Sequence, residues 1–178
     1  MTGTAPVAGD SASARLFIAL WPDLAVRDAL AAWSEQWQWN TGASRVRAER
    51  LHLTLHFLDE VPRTALPALR LALRLPFESF SLSLGRAAVW RGGVAVLEPD
   101  RVPPRLHHLH DALGEALRRQ ALPSETRPYR PHLTLARRAS PAVPPPLGPQ
   151  LRWTVRSYAL VESCPRRAGA YEVIEHFP

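Results

Sequence analysis

The sequence contains no lysine: all 22 of its basic residues are arginine. Against 16 acidic residues they leave a formal net charge of +6, a balance that favours an anionic partner. Its single cysteine, Cys164, excludes an intramolecular disulfide and any cysteine-rich zinc site. No apolar run approaches the ~20 residues that a membrane-spanning helix needs. The opening "MTGTAPVAGDSASA" is small and polar, without the apolar centre of a secretory leader. A cytoplasmic protein is expected, with no membrane association and no obligate protein partner evident. Residues 1–14 are expected to form a disordered tip, and 15–178 a single domain with ample length for a buried core.

What is present alternates between strand and helix signals. "RLFIAL" (Arg15–Leu20) is a short apolar run stopped by Trp21-Pro22, a buried strand. Val26, Leu30, Trp33 and Trp37 then form one helical stripe, which reads as core, and "NTG" at Asn40–Gly42 is expected to end that helix. A second helix follows Thr64, a plausible N-cap. Phe80, Leu82 and Leu84 alternate with serines as a half-buried strand, whose hairpin partner Gly92–Pro99 turns at Arg91-Gly92-Gly93. Leu106, Leu109, Leu113 and Leu117 make a third helical stripe. His107, His108 and His110 lie on that helix without sharing a face, so they read as structural or solvated rather than as metal ligands. A proline-rich connector, Ala139–Pro149, leads to two closing strands, "RWTVRSYALVES" and "AYEVIEHF". Strands mixed with helices predict an α+β fold, antiparallel sheets with helices on the outside.

Within this pattern the tetrad HLTL occurs twice, at His52–Leu55 and His132–Leu135. A repeated motif points to duplicated structure. In a strand successive side chains face opposite ways, so His52 and Thr54 point to one side while Leu53 and Leu55 anchor in a core; His132 and Thr134 do the same in the second copy. Two such strands side by side would offer two imidazoles and two hydroxyls, with no carboxylate and no thiol. That set suits in-line displacement at phosphorus: a neutral imidazole takes a proton from water and a protonated one gives a proton to the leaving oxygen. Hydroxyls and a nearby arginine stabilise the charge that builds on the other oxygens. A zinc site would need three converging ligands, and nothing marks the nucleophile of a serine-type triad.

At these residues the sequence resembles the 2H phosphoesterase superfamily, and most closely its RNA 2′,3′-cyclic phosphodiesterase branch, also called 2′-5′ RNA ligase. The resemblance runs from "RLFIAL" through "RLHLTLHFL", "VLEP" and "RPYRPHLTLAR" to the closing "YEVIEHFP". It implies a bilobal, pseudo-two-fold duplicated fold with two antiparallel sheets lining a central cleft. It implies RNA with 2′,3′-cyclic phosphate ends, or small cyclic nucleotides, as substrates opened to 2′-phosphomonoesters without metal or cofactor. In the resemblance His52 is the proton donor, His132 the proton acceptor, and Thr54 and Thr134 are phosphate contacts; the motif symmetry alone permits either order. Ligation of 2′-5′ ends at the same site, or a non-catalytic RNA- or nucleotide-binding role, are the alternatives. Candidate RNA contacts are Arg130, Arg137, Tyr129 and His56. Plain alternation puts His56 on the cleft side, about 13 Å from His52. Arg137, at odd spacing from His132, reaches the cleft only if a bulge turns it back.

Overall fold

The computed structural model describes residues 12–124, 127–164 and 170–178. In chain order the elements are β1 (Ser13–Leu20), α1 (Leu24–Ser34), β2 (Ser44–Arg45), β3 (Leu53–Pro62), α2 (Leu66–Ala72), β4 (Phe80–Trp90), β5 (Val94–Pro99), α3 (Pro104–Arg119), β6 (Leu133–Arg137), β7 (Leu151–Val155), β8 (Tyr158–Cys164) and β9 (Ala170–Phe177). The strands run β7-β4-β5-β6-β3-β1-β8-β9, with β2 added beside β6. Every pairing is antiparallel. The chain is therefore α+β and, β2 aside, four strands lie on either side of a midline that runs between β3 and β6.

At that midline only one residue pair is in register, Leu53 with Leu133. That one pair joins the two halves into a single nine-stranded sheet, and the cleft lies over the join. The helices cross over beneath it. α1 belongs to the first half of the chain, yet its Trp33 indole donates to the Leu147 carbonyl beside β7 at 3.3 Å. α3 belongs to the second half and packs under β3, where the His110 and His56 rings stack 4.2 Å apart. Leu30, Leu53, Leu113, Leu133 and Trp153 accordingly lie in one continuous buried cluster. Exchanged helices and a shared core leave the halves little freedom to separate.

Four details depart from the sequence expectations. The first helix ends at Ser34 rather than at Asn40–Gly42. Its continuation is diverted because the Trp39 indole takes the Ser34 carbonyl at 2.9 Å, while the Gln38 N–H donates to Val143 instead. Trp37 is nonetheless buried, as the stripe required. Thr64 does not cap α2; it lies in a short 3-10 turn, and Ala65 precedes the helix without a side-chain bond. "RWTVRSYALVES" is two strands, because Arg156-Ser157 carries the chain from β7, at the edge of one half of the sheet, to β8, inside the other half. The expected disordered tip lies mostly outside the described residues, but Ser13 and Ala14 already belong to β1.

Candidate active site

The single Leu53–Leu133 register fixes the arrangement of both motifs. In an antiparallel pair it sets His52 across from Thr134 and Thr54 across from His132, on the face opposite the two leucines. Both leucines are fully buried, whereas the two histidines and two threonines are half-buried and line the cleft. The cleft holds about 950 Å³, and no carboxylate is among its described lining residues.

Each imidazole is held the same way. His52 Nδ1 lies 2.7 Å from the Arg50 carbonyl oxygen, and His132 Nδ1 lies 2.8 Å from that of Arg130. A carbonyl only accepts, so each Nδ1 carries a hydrogen and Nε2 is the nitrogen that exchanges a proton. The packing is also paired. His52 stacks on Trp21 at 5.3 Å and 5°, with Tyr171 edge-on at 5.4 Å. His132 leans on Trp90 at 4.3 Å. Arg50 lies over Tyr171 and Arg130 over Trp90, so each motif has an arginine bracing the aromatic that braces its histidine.

The two sites differ electrostatically. Burial is the main cause holding both imidazoles below the usual histidine range, and the carbonyl bonds oppose it. Arg137 pushes both lower still, and His132 adds to the effect on His52. Among the described residues, a carboxylate that pulls the other way, Glu98, reaches His132 and none reaches His52. Glu98 is buried on β5, and its oxygen accepts from Arg130 Nε at 2.7 Å.

The structure sorts the remaining candidates by one shared irregularity. β3 and β6 each carry an extra residue immediately after the threonine: Ile18 and Ala19 pair with His56 and Thr54, skipping Leu55, while Ala95 and Val96 pair with Ala136 and Thr134, skipping Leu135. A bulge shifts the alternation by one. Arg137 is thereby returned to the cleft, and Phe57 is placed there as its counterpart, 46 % exposed. The same shift removes His56 from the cleft. It is 2 % exposed, and its Nε2 is 2.8 Å from the His110 carbonyl, so the expected rim contact is corrected to a core position. Tyr129 lines the cleft, but one face of its ring is taken by His110 at 3.9 Å. Its hydroxyl donates to the Thr54 carbonyl at 3.4 Å. Arg130 stands at the cleft, held between Glu98 and Trp90. Of the helix histidines, His107 and His108 are exposed and His110 is buried the other way, so they do not converge.

Sequence reasoning missed Trp21, Trp90 and Glu98. The first lay in view as the stop after "RLFIAL". The other two sit on β4 and β5, and only the sheet order brings them beside His132.

Comparison with known proteins agrees with this architecture. A model of the 2′-5′ RNA ligase superfamily matches residues 26–163. The RNA 2′,3′-cyclic phosphodiesterase of Escherichia coli is 36 % identical over 150 residues, 83 % of each chain. That of Thermus thermophilus is 36 % identical over 180 residues, 92 % of this chain and 89 % of the other. The crystal structure of E. coli LigT complexed with 3′-AMP superposes with a TM-score of 0.82 at 30 % identity, over 93 % of this chain and 97 % of LigT. The chain belongs to the 2′-5′ RNA ligase superfamily.

Proposed function

We propose that this protein is an RNA 2′,3′-cyclic phosphodiesterase. It opens the cyclic phosphate of RNA ends or small cyclic nucleotides to a 2′-phosphomonoester, in the cytoplasm and with no metal ion or cofactor. The observation that carries the reading is the pair of imidazoles on facing strands, each with Nδ1 tied to its own motif's carbonyl and an arginine set near both. The names of the E. coli and Thermus relatives, and the 3′-AMP bound in LigT, support it.

Water attacks phosphorus opposite the 3′-oxygen. His132 Nε2 takes its proton, and His52 Nε2 gives one to the 3′-oxygen as the P–O3′ bond breaks. The electrostatic difference between the sites supports this order. The buried Glu98 carboxylate stabilises the imidazolium that forms at His132, whereas His52, packed in aromatics without such a partner, is a ready donor once the substrate's negative charge has helped it hold a proton. Thr54, Thr134 and Arg137 receive the non-bridging oxygens, whose charge grows in the transition state. Acid–base transfer supplies roughly 10²–10⁴-fold per group, and the fixed strands supply the alignment.

The test is to incubate the purified protein with a 2′,3′-cyclic mononucleotide and identify the product. A 2′-monophosphate, formed equally in the presence of a strong chelator, is the expected result. A 3′-monophosphate would reverse the geometry, and loss on chelation with rescue by added metal would overturn metal independence.

A further inference from the structure

The arginines of the cleft differ in what they reach. Arg137 and Arg130 are close enough to bear on the imidazoles. Arg45 and Arg47 line the same cleft without doing so. They are carried by the extended stretch in which β2 pairs with the far end of β6: Arg45 stands opposite Ala136, and the Val46 N–H donates to the Leu135 carbonyl at 2.7 Å. That position is three residues along β6 from Leu133 and two from Thr134, the residue that faces His52, so Arg45 is set off from the level of the nearer imidazole by about 7 Å of strand. Thr54, Thr134 and Arg137 already receive the scissile phosphate in the proposed reaction, so the anion assigned to Arg45 and Arg47 is a different one.

Both are held loosely enough to bind it. Arg47 faces Glu49 at 3.9 Å, with the two side chains 70 % and 59 % exposed. Arg45 pairs with Glu35, itself 66 % exposed, and its guanidinium lies over the Trp39 ring at 5.7 Å. Ion pairs this open to water contribute little, so a phosphate can replace the carboxylate at small cost. As residues i and i+2 of an extended stretch, Arg45 and Arg47 project to one side about 6.5–7 Å apart. That spacing is comparable to successive phosphates of a single strand, and cations interleaved with an aromatic ring suit single-stranded nucleic acid. A 2′,3′-cyclic phosphate is by its chemistry a 3′ terminus, so RNA can leave the site only through the 5′ side of the terminal nucleoside.

The geometry points to Arg45 and Arg47 as a docking strip for the RNA backbone 5′ of the cyclic end, which makes a cyclic-ended oligonucleotide a better substrate than a cyclic mononucleotide. This inference rests on the function proposed above. The experiment compares kcat/KM on a 2′,3′-cyclic mononucleotide and on a cyclic-ended single-stranded oligonucleotide, for the wild type, Arg47→Ala and the Arg45→Ala/Arg47→Ala double variant, across a range of salt. The wild type should favour the oligonucleotide by at least about tenfold at low salt, and the double variant should lose most of that preference. At physiological salt the mononucleotide rate should move less than about threefold, because its one phosphate is met by Thr54, Thr134 and Arg137 and the charge of the strip is partly screened there. The salt slope of log kcat/KM for the oligonucleotide should become shallower by about 0.7 per arginine removed. Arg47→Ala alone should give half the change in slope, which keeps the test valid if replacing Arg45 disturbs its contacts with Glu35 and Trp39. Equal losses on both substrates, or an unchanged oligonucleotide rate and slope, would overturn the strip. Failure of the wild type to turn over either substrate would instead overturn the function on which it rests.

Discussion

Arg137 offers a perturbation whose consequences can be worked out before the experiment. It lies in the cleft because of the bulge at Leu135, its charge reaches both imidazoles, and among the described residues no carboxylate pairs with it. In the proposed reaction it meets charge that appears on a non-bridging oxygen. Loss of one such donor elsewhere costs about 2.7–4 kcal/mol; Arg137 is exposed to water, so a smaller figure of about 2–3 kcal/mol is expected for Arg137→Ala. That is roughly 30- to 150-fold in kcat/KM on a 2′,3′-cyclic mononucleotide near pH 7. A second signature follows from electrostatics alone. Removing a cation that depresses both histidines raises both proton affinities, so the whole rate profile should move to higher pH, whichever histidine is the acid. Arg137→Lys retains charge but not the fork that grips two oxygens, and should recover part of the rate with the profile close to that of the wild type. The assay is initial-rate hydrolysis from pH 5 to 8 for all three proteins. An Arg137→Ala variant within about threefold of wild type, with its profile unmoved, would refute the reasoning.

Because burial lowers the proton affinity of His52 and His132 in the folded protein, the stability they contribute is complete above about pH 6.5 and falls as acid drives protons onto them. Thermal midpoints at pH 7.5 and pH 5 should show this decline, and His132→Asn should flatten it. His56→Ala should lower the midpoint by roughly 4–10 °C, for a loss of about 2–3 kcal/mol of packing and hydrogen bonding. Its KM for a cyclic mononucleotide, measured below the transition, should change less than about threefold; a large rise in KM without destabilisation would return His56 to the cleft. Tyr129→Phe keeps the stack on His110 and gives up only a long hydrogen bond, so activity and midpoint should both stay near wild type, the cost being about 0.5 kcal/mol or less.

The quartet His52, Thr54, His132 and Thr134 was legible as a site because it needs only local information. Period-two alternation put His and Thr together and Leu opposite, and the second tetrad supplied the facing strand. The fate of His56 and Arg137 was not legible in the same way, since it turns on one unpaired residue in each strand. Those bulges are defined by registers with β1 and β5, elements distant in sequence from the strands they bend. Arg137 could be stated only as a condition, and plain alternation placed His56 on the wrong side. The helix boundary at Ser34 was hidden for a similar reason. The stripe through Trp37 is real as burial, but the Ser34 carbonyl is claimed by an indole and the Gln38 amide by Val143, far along the chain. Nor can composition reveal that "RWTVRSYALVES" is divided between the two halves of the sheet, because both pieces are equally good strands.

The central claim is that two imidazoles share the chemistry, one giving a proton and one taking it. It is tested most directly by measuring kcat on a 2′,3′-cyclic mononucleotide for His52→Ala, His132→Ala and the double variant, with folding of each checked by its thermal transition. The account predicts that each single substitution lowers kcat at least about a hundredfold, and that the double variant falls far short of the product of the two losses. Folded single variants that both turn over at near-wild-type rates would contradict it.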